Sequence, residues 1–179
     1  MHSDAHQLTQ ADRDIIAARL GRPPHDVIAV AARDAQGRPR VITNHPLRKE
    51  GNGWVPFPTL YWLIDPDLCT AMADLERKGA IGEFEKRIAA DEDLRATLHA
   101  DHRAYAAARW ALLNEGEKQR AIDAGFAQTL RDKGIGGIAC FDAIKCLHLH
   151  AAHHLAEQAA GRSGTTVGRL VEARLGVTF

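Results

Sequence analysis

The sequence predicts an α+β fold: a small antiparallel sheet of about three strands near the N-terminus, followed and covered by five to seven helices. Three observations carry this. Two short apolar runs, residues 26–33 and 40–44, flank a turn at Asp34, Ala35, Gln36 and Gly37, the pattern of a hairpin. A third apolar run at 59–64 follows a segment stiffened by Pro56 and Pro58. From Pro66 onward, apolar residues recur at helical spacing.

Residues 1–8 read as a loose tail and 9–179 as a single globular domain. Thr9 or Asp12 can cap a helix through Leu20, with Ile15, Ile16 and Leu20 as its apolar side; Gly21 stops it, and Pro23 and Pro24 bar its continuation. After the hairpin, residues 45–53 read as a polar loop rich in turn formers. The third strand ends at Asp65 and Pro66, where Asp65 is a ligand or base candidate at a strand end. Capping and turn roles compete for it, and Asp67 could be the N-cap of the next helix. That helix, 67–78, carries Leu68, Met72 and Leu75, with Cys69 beside Met72 as a core residue, and Gly79 ends it. A short helix at 81–90 buries Phe84 and Ile88. A long one at 91–115 buries Leu94, Leu98, Tyr105 and Leu112, leaving His99, His102 and Arg109 on what reads as a solvated face. A further helix at 117–133 uses Ile122, Phe126 and Leu130, weakened by Gly125. Glycines at 134–137 break the pattern, Asp142 reads as the N-cap of the next helix, and a last helix from Thr165 ends at Gly176.

Composition limits the function classes. With 179 residues the chain is long enough for a substantial core. Lys plus Arg equals Asp plus Glu at 23 each, so general nucleic-acid binding through a basic surface is not expected. No apolar run is long enough to span a membrane, and the first residues lack an apolar signal core; a cytoplasmic location is expected. Three cysteines suit reduced thiols better than a disulfide framework.

The chemical signal lies at 145–155, which holds four of the ten histidines and one of the three cysteines. At about 100° per helical residue, Cys146, His150, His153 and Glu157 share one narrow stripe, and His148 faces away. Cys146, His150 and His153 are the expected metal ligands, with Asp65 or Glu157 completing or supporting the set; zinc fits this donor mixture best. A hydrogen-bonded core network, or a catalytic histidine without metal, competes with that reading. Gly136, Gly137 and Lys145 form a candidate anion cradle, helped by Arg131 and Lys133, although the Walker spacing is absent and a tight glycine turn explains the same residues.

Phe57, Pro58, Thr59, Leu60, Tyr61, Trp62 and Leu63, then the 134–137 glycines, then Lys145, Cys146, Leu147 and His148 with Ala152 and His153, resemble the bacterial family catalogued as domain of unknown function 501. The resemblance spans roughly residues 27–160. The family brings no established activity. It emphasises Cys146, His148 and His153 over His150 and His154, which conflicts with the helical stripe: either His148 serves a separate role, or the helix starts irregularly near Lys145. Asp65 stands where the family tends to carry a cysteine, which argues against a shared disulfide or thiolate-only mechanism.

The leading functional expectation is therefore a zinc site that could support hydrolysis, with Asp65, Glu157 and His148 as catalytic candidates. One alternative is a non-enzymatic interaction or pH-sensing module whose histidine helix packs on a partner or a second copy of the chain. The other is a phosphate- or anion-binding protein.

Overall fold

The computed structural model describes residues 8–179. The expected tail falls outside the described residues except for Leu8, which packs against a cluster of Ile16, Val27, Ile42 and Ile64. Helix α1 spans Gln10–Leu20. Thr9 is its N-cap, and Asp12 returns a carboxylate to the Thr9 N–H, a reciprocal capping box. Asp12 is buried, 2.6 Å from Arg33, whose hydrogen bond holds the carboxyl pKa down at about 2.

Strands β1 (Val27–Arg33) and β2 (Pro39–Asn44) form the expected hairpin. The next ten residues depart from the expected loop. They form a second hairpin, β3 (Leu47–Glu50) and β4 (Gly53–Pro56), turning at Gly51 in the left-handed region. Its strands are too polar and too short to show a period-2 pattern, but Leu47 is buried with Leu113, Ala121 and Leu130. Strand β5 (Tyr61–Leu63) pairs with β2, giving the order β1-β2-β5 and setting Ile42 opposite both Val30 and Trp62. The central strand is accordingly the most buried.

Eight α-helices follow or flank this sheet among the described residues. Helix α2 (Pro66–Arg77) is capped by Asp65, not Asp67: its carboxylate accepts from the Asp67 and Leu68 amides. Next come α3 (Ala80–Ala89), α4 (Glu92–Ala111), α5 (Glu115–Asp123) and α6 (Ala127–Arg131). The last two were expected as one helix. Gly125, at φ +74°, ends the first, and the Phe126 amide folds back to the Ala121 carbonyl. After a 3-10 turn at Ile135–Gly137 come α7 (Leu147–Ala159) and α8 (Thr166–Leu175).

Helix α7 is the interior element. It packs on β1, β2 and β5 and against α2 and α8. Eight of its thirteen residues are buried, as befits a helix enclosed on most sides. Alanines 151, 152 and 156 allow the close approach, and Gly168 of α8 does the same: a Cβ there would overlap the His154 ring.

The face of α4 that reads as solvated is in fact buried at His102 and Arg109. The guanidinium of Arg109 donates to the carbonyls of Pro58 (2.8 Å), Thr129 (3.1 Å), Leu130 (2.7 Å), Gly134 (3.3 Å) and Lys133. It ties the segment before β5 to α6 and to the glycine turn.

Candidate metal centre

The site forms where an extended segment meets the start of α7. Carboxylates from α2 and α3 hold that segment: Glu85 accepts from the Ile144 amide at 2.8 Å and Glu76 from the Leu147 amide at 2.6 Å. Glu76 occupies the electropositive start of the buried helix, where anions are favoured, and Glu85 holds the extended segment that leads into it. Cys146 is the N-cap, in extended geometry at φ −163° and ψ 152°; Asp142, the expected cap, lies upstream and bonds His99 at 2.7 Å. Because Cys146 precedes the first helical residue, its side chain does not follow the helical wheel. The expected stripe is corrected here.

This irregular start brings a different set together. Glu76, Cys146 and His148 each offer a ligand atom, and these atoms lie within 4.8 Å of one another; among the described residues no other His/Cys/Asp/Glu group does so. His148 Nδ1 is 3.2 Å from Glu76 Oε1, and its Nε2 is 3.1 Å from the Cys69 carbonyl. Beside them opens a cavity of about 420 Å³, lined by Trp62, Leu63, Cys69, Cys146, His148 and Leu149. Burial, reinforced by Glu76, pushes the Cys146 thiol up; the Leu149 amide, Lys145 and the His148 amide pull against it. Burial and Asp65 likewise raise Cys69, whose Sγ is 3.6 Å from the Leu63 carbonyl.

The other expected ligands lie deeper. His150 is fully buried, and neither ring nitrogen has a hydrogen-bond partner. Its ring meets His102 edge to face at 5.6 Å, and His102 stacks on Phe141 at 4.9 Å. His153 stacks on Tyr61 at 5.8 Å and meets Tyr105 at 5.1 Å. Burial drives His150 well below its ordinary pKa, with the charges of His102 and His153 adding to the effect. Burial lowers His102 to about 4, helped by His153 and His99. His102 and His150 are thereby held in their neutral form at neutral pH, and all three rings pack against aromatic neighbours. Glu157 pairs with Arg162 and stands 3.6 Å from His153 Nε2, and these contacts lower its carboxyl to about 2. Asp65 caps α2 and holds Arg40 at 3.0 Å.

The glycine segment is closed on itself. The Gly137 amide bonds the Gly134 carbonyl, the Gly134 amide bonds the Ile138 carbonyl, and the Ile135 amide bonds His102 Nδ1. Lys145 Nζ donates to the Gly136 carbonyl at 2.7 Å. The amides at 134, 135 and 137 are thus engaged within the fold, not presented to an anion. Gly136, at φ +67°, meets Leu149 and Lys145 so closely that a Cβ would lie 2.6 Å from Leu149 Cδ1.

Glu76 is the member that the sequence hides. It sits in the charged last turn of α2, 70 positions before Cys146, where a solvated role is the natural reading. The one signal was the emphasis that the family resemblance placed on His148. No helix of the described residues is long and apolar enough to cross a membrane. No curated protein and no solved structure matches the chain. The family described as protein of unknown function (DUF501) matches residues 30–173, most of the chain, and the chain belongs to that family.

Proposed function

We propose that the chain binds a divalent metal ion, zinc before others, through Cys146, His148 and Glu76 at the edge of the apolar cavity. The observation that carries this is the environment of His148. Both ring nitrogens face acceptors, a carboxylate and a carbonyl. A neutral imidazole has one N–H and satisfies only one of them. With Nε2 donating to the Cys69 carbonyl, the Nδ1 lone pair is aimed at Glu76 and needs a cation between them. A ligating histidine whose second nitrogen is held by a backbone carbonyl is the usual outer-shell arrangement of a metal site.

Thiolate, imidazole and carboxylate suit zinc, and a three-ligand set leaves its fourth tetrahedral position open, the ligand count of catalytic rather than structural zinc. Since burial keeps the Cys146 thiol protonated, the ion must displace its proton, and affinity falls as pH falls. Glu76, Cys146 and His148 would hold the ion, which would supply an activated water for hydrolysis, and the cavity beside Trp62 and Leu149 would take the apolar part of a substrate.

The same geometry supports a second reading, in which a proton takes the place of the metal: imidazolium His148 bridges Glu76 and Cys69 and locks α2 to α7. Zinc content and affinity of untagged protein separate the two. Near-stoichiometric zinc, weakened by Glu76→Gln, Cys146→Ser or His148→Gln, supports the metal. The His153→Phe variant keeps its zinc under this ligand set and loses it under one of Cys146, His150 and His153. No zinc after reconstitution under reducing conditions overturns the metal reading and leaves the ion pair.

A further inference from the structure

The largest of the described cavities, about 570 Å³, lies along α4 and shares no residue with the metal centre. Its floor is made of small side chains, Ala106, Ala107 and Ala111. Two aromatic rings wall it: Trp110 from α4 and Phe141 from the segment after the glycine turn, the latter held in place by stacking on the buried His102 ring. Three cations edge it, Arg103, Lys118 and Arg131, against one carboxylate, Asp132. Arg131 pairs with Asp132 at 2.8 Å and Lys118 with Glu115 at 2.7 Å, while no carboxylate of the described residues reaches within 4 Å of Arg103.

We infer that this groove binds a nucleotide, with its planar ring against an aromatic wall and its phosphates on the guanidinium groups of Arg103 and Arg131. Each half of that ligand has its counterpart. Aromatic faces take a flat ring by offset stacking, and the guanidinium fork matches phosphate oxygens two at a time. Arg103 and Trp110 stand two helical turns apart, about 10 Å along the axis, a span that suits a base joined through ribose to a diphosphate better than a bare phosphate ion. The volume lies within the usual range of ligand pockets, about 300–1,000 Å³. Charge balance points the same way: an anionic ligand offsets the net positive rim, whereas a cationic or purely apolar one leaves Arg103 unpaired and, on entry, desolvated.

The test is calorimetric titration of the full chain with ADP, GDP and UDP, beside adenosine and inorganic phosphate as half-ligands. Ala107→Glu is the diagnostic variant. The position is exposed on α4, glutamate is a good helix former, and its side chain brings both bulk and negative charge onto the floor. Arg103→Ala removes the free guanidinium. Expected are saturable binding of at least one diphosphate with Kd below about 1 mM, weaker binding of both half-ligands, and at least a tenfold loss in each variant at unchanged melting temperature. No saturable binding of any diphosphate, or undiminished binding in Ala107→Glu, overturns the inference. Inorganic phosphate binding as tightly as the diphosphates would also overturn it, because the groove would then be an anion patch without a ring site. Zinc content is unaffected in every case, which keeps this outcome separate from that of the metal centre.

Discussion

Arg109 and His150 are both polar side chains with no exposed surface, and the fold treats them in opposite ways. The three guanidinium nitrogens of Arg109 donate to five backbone carbonyls, and no carboxylate takes part. His150 has two ring nitrogens and no partner for either. The difference follows from what each group can do with its charge. A guanidinium stays protonated even where burial lowers its pKa, so the interior must supply the dipoles that water would have supplied. An imidazole can release its proton. Once neutral, it packs as a small aromatic ring, at the cost of unpaired nitrogens. The interior therefore tolerates His102 and His150 through neutrality, and Arg109 through complete satisfaction.

The largest expected effect probes the satisfied member. Arg109→Met leaves five carbonyls without their donor, and the loss is expected at about 3–5 kcal/mol in urea denaturation. A loss under about 1 kcal/mol would mean that the carbonyls are otherwise served and that the contrast with His150 is empty. The next effect is pH dependence. His102 has a folded pKa of about 4, below its unfolded value, so the unfolded chain binds the extra proton first. Stability is complete above pH 6.5 and falls as pH drops from there towards 4, by up to roughly 3 kcal/mol for this group. The buried carboxylate Asp12 acts in a lower window: its folded pKa of about 2 gives stability that is lost only as pH falls below 3.8. A His102→Gln variant should make the upper limb shallower without abolishing it, because His150 acts in the same window, and should leave the lower limb alone; an unchanged slope between pH 6.5 and 4 in that variant would assign the limb to other groups. The smallest effect belongs to His150→Leu. Exchanging an unpartnered ring for an apolar side chain should change stability at pH 7.5 by no more than about 1 kcal/mol. A loss above about 2 kcal/mol would reveal a hidden partner and erase the comparison.

The same physics explains what could be read from the sequence. The hairpin of β1 and β2, the third strand and the helical remainder followed from apolar periodicity and turn residues, because burial on one face writes itself into local spacing. Gly125 stood out as a weak point, and the chain does break there. The β3–β4 hairpin did not stand out, since Leu47-Arg48-Lys49-Glu50 buries only Leu47 and so carries no alternation. Arg109 and His102 looked solvated because their partners come from segments 20 or more residues away. The candidate metal centre was legible in part. The 145–155 stretch contributes Cys146 and His148 to the His/Cys/carboxylate group that the fold brings together. The helical wheel groups Cys146 with His150 and His153 because it assumes that Cys146 is helical; the extended residue at the cap instead sets its thiol near His148 and Glu76. Glu76 reaches the site through the packing of α2 on α7, a long-range contact with no local signature.

The close crossing of α7 and α8 has a consequence for how related chains can vary. His154 occupies space that residue 168 leaves by having no side chain, as Gly164 also does, and its Nδ1 accepts the Thr165 amide that opens the way into α8. The two positions are therefore one unit of inheritance. A relative that places any larger residue at 168 must give up the imidazole at 154 or move the helices apart, and a relative with a small residue at 154 is released from glycine at 168. Substitution at either position alone is the disfavoured path; the pair changes together or stays as it is.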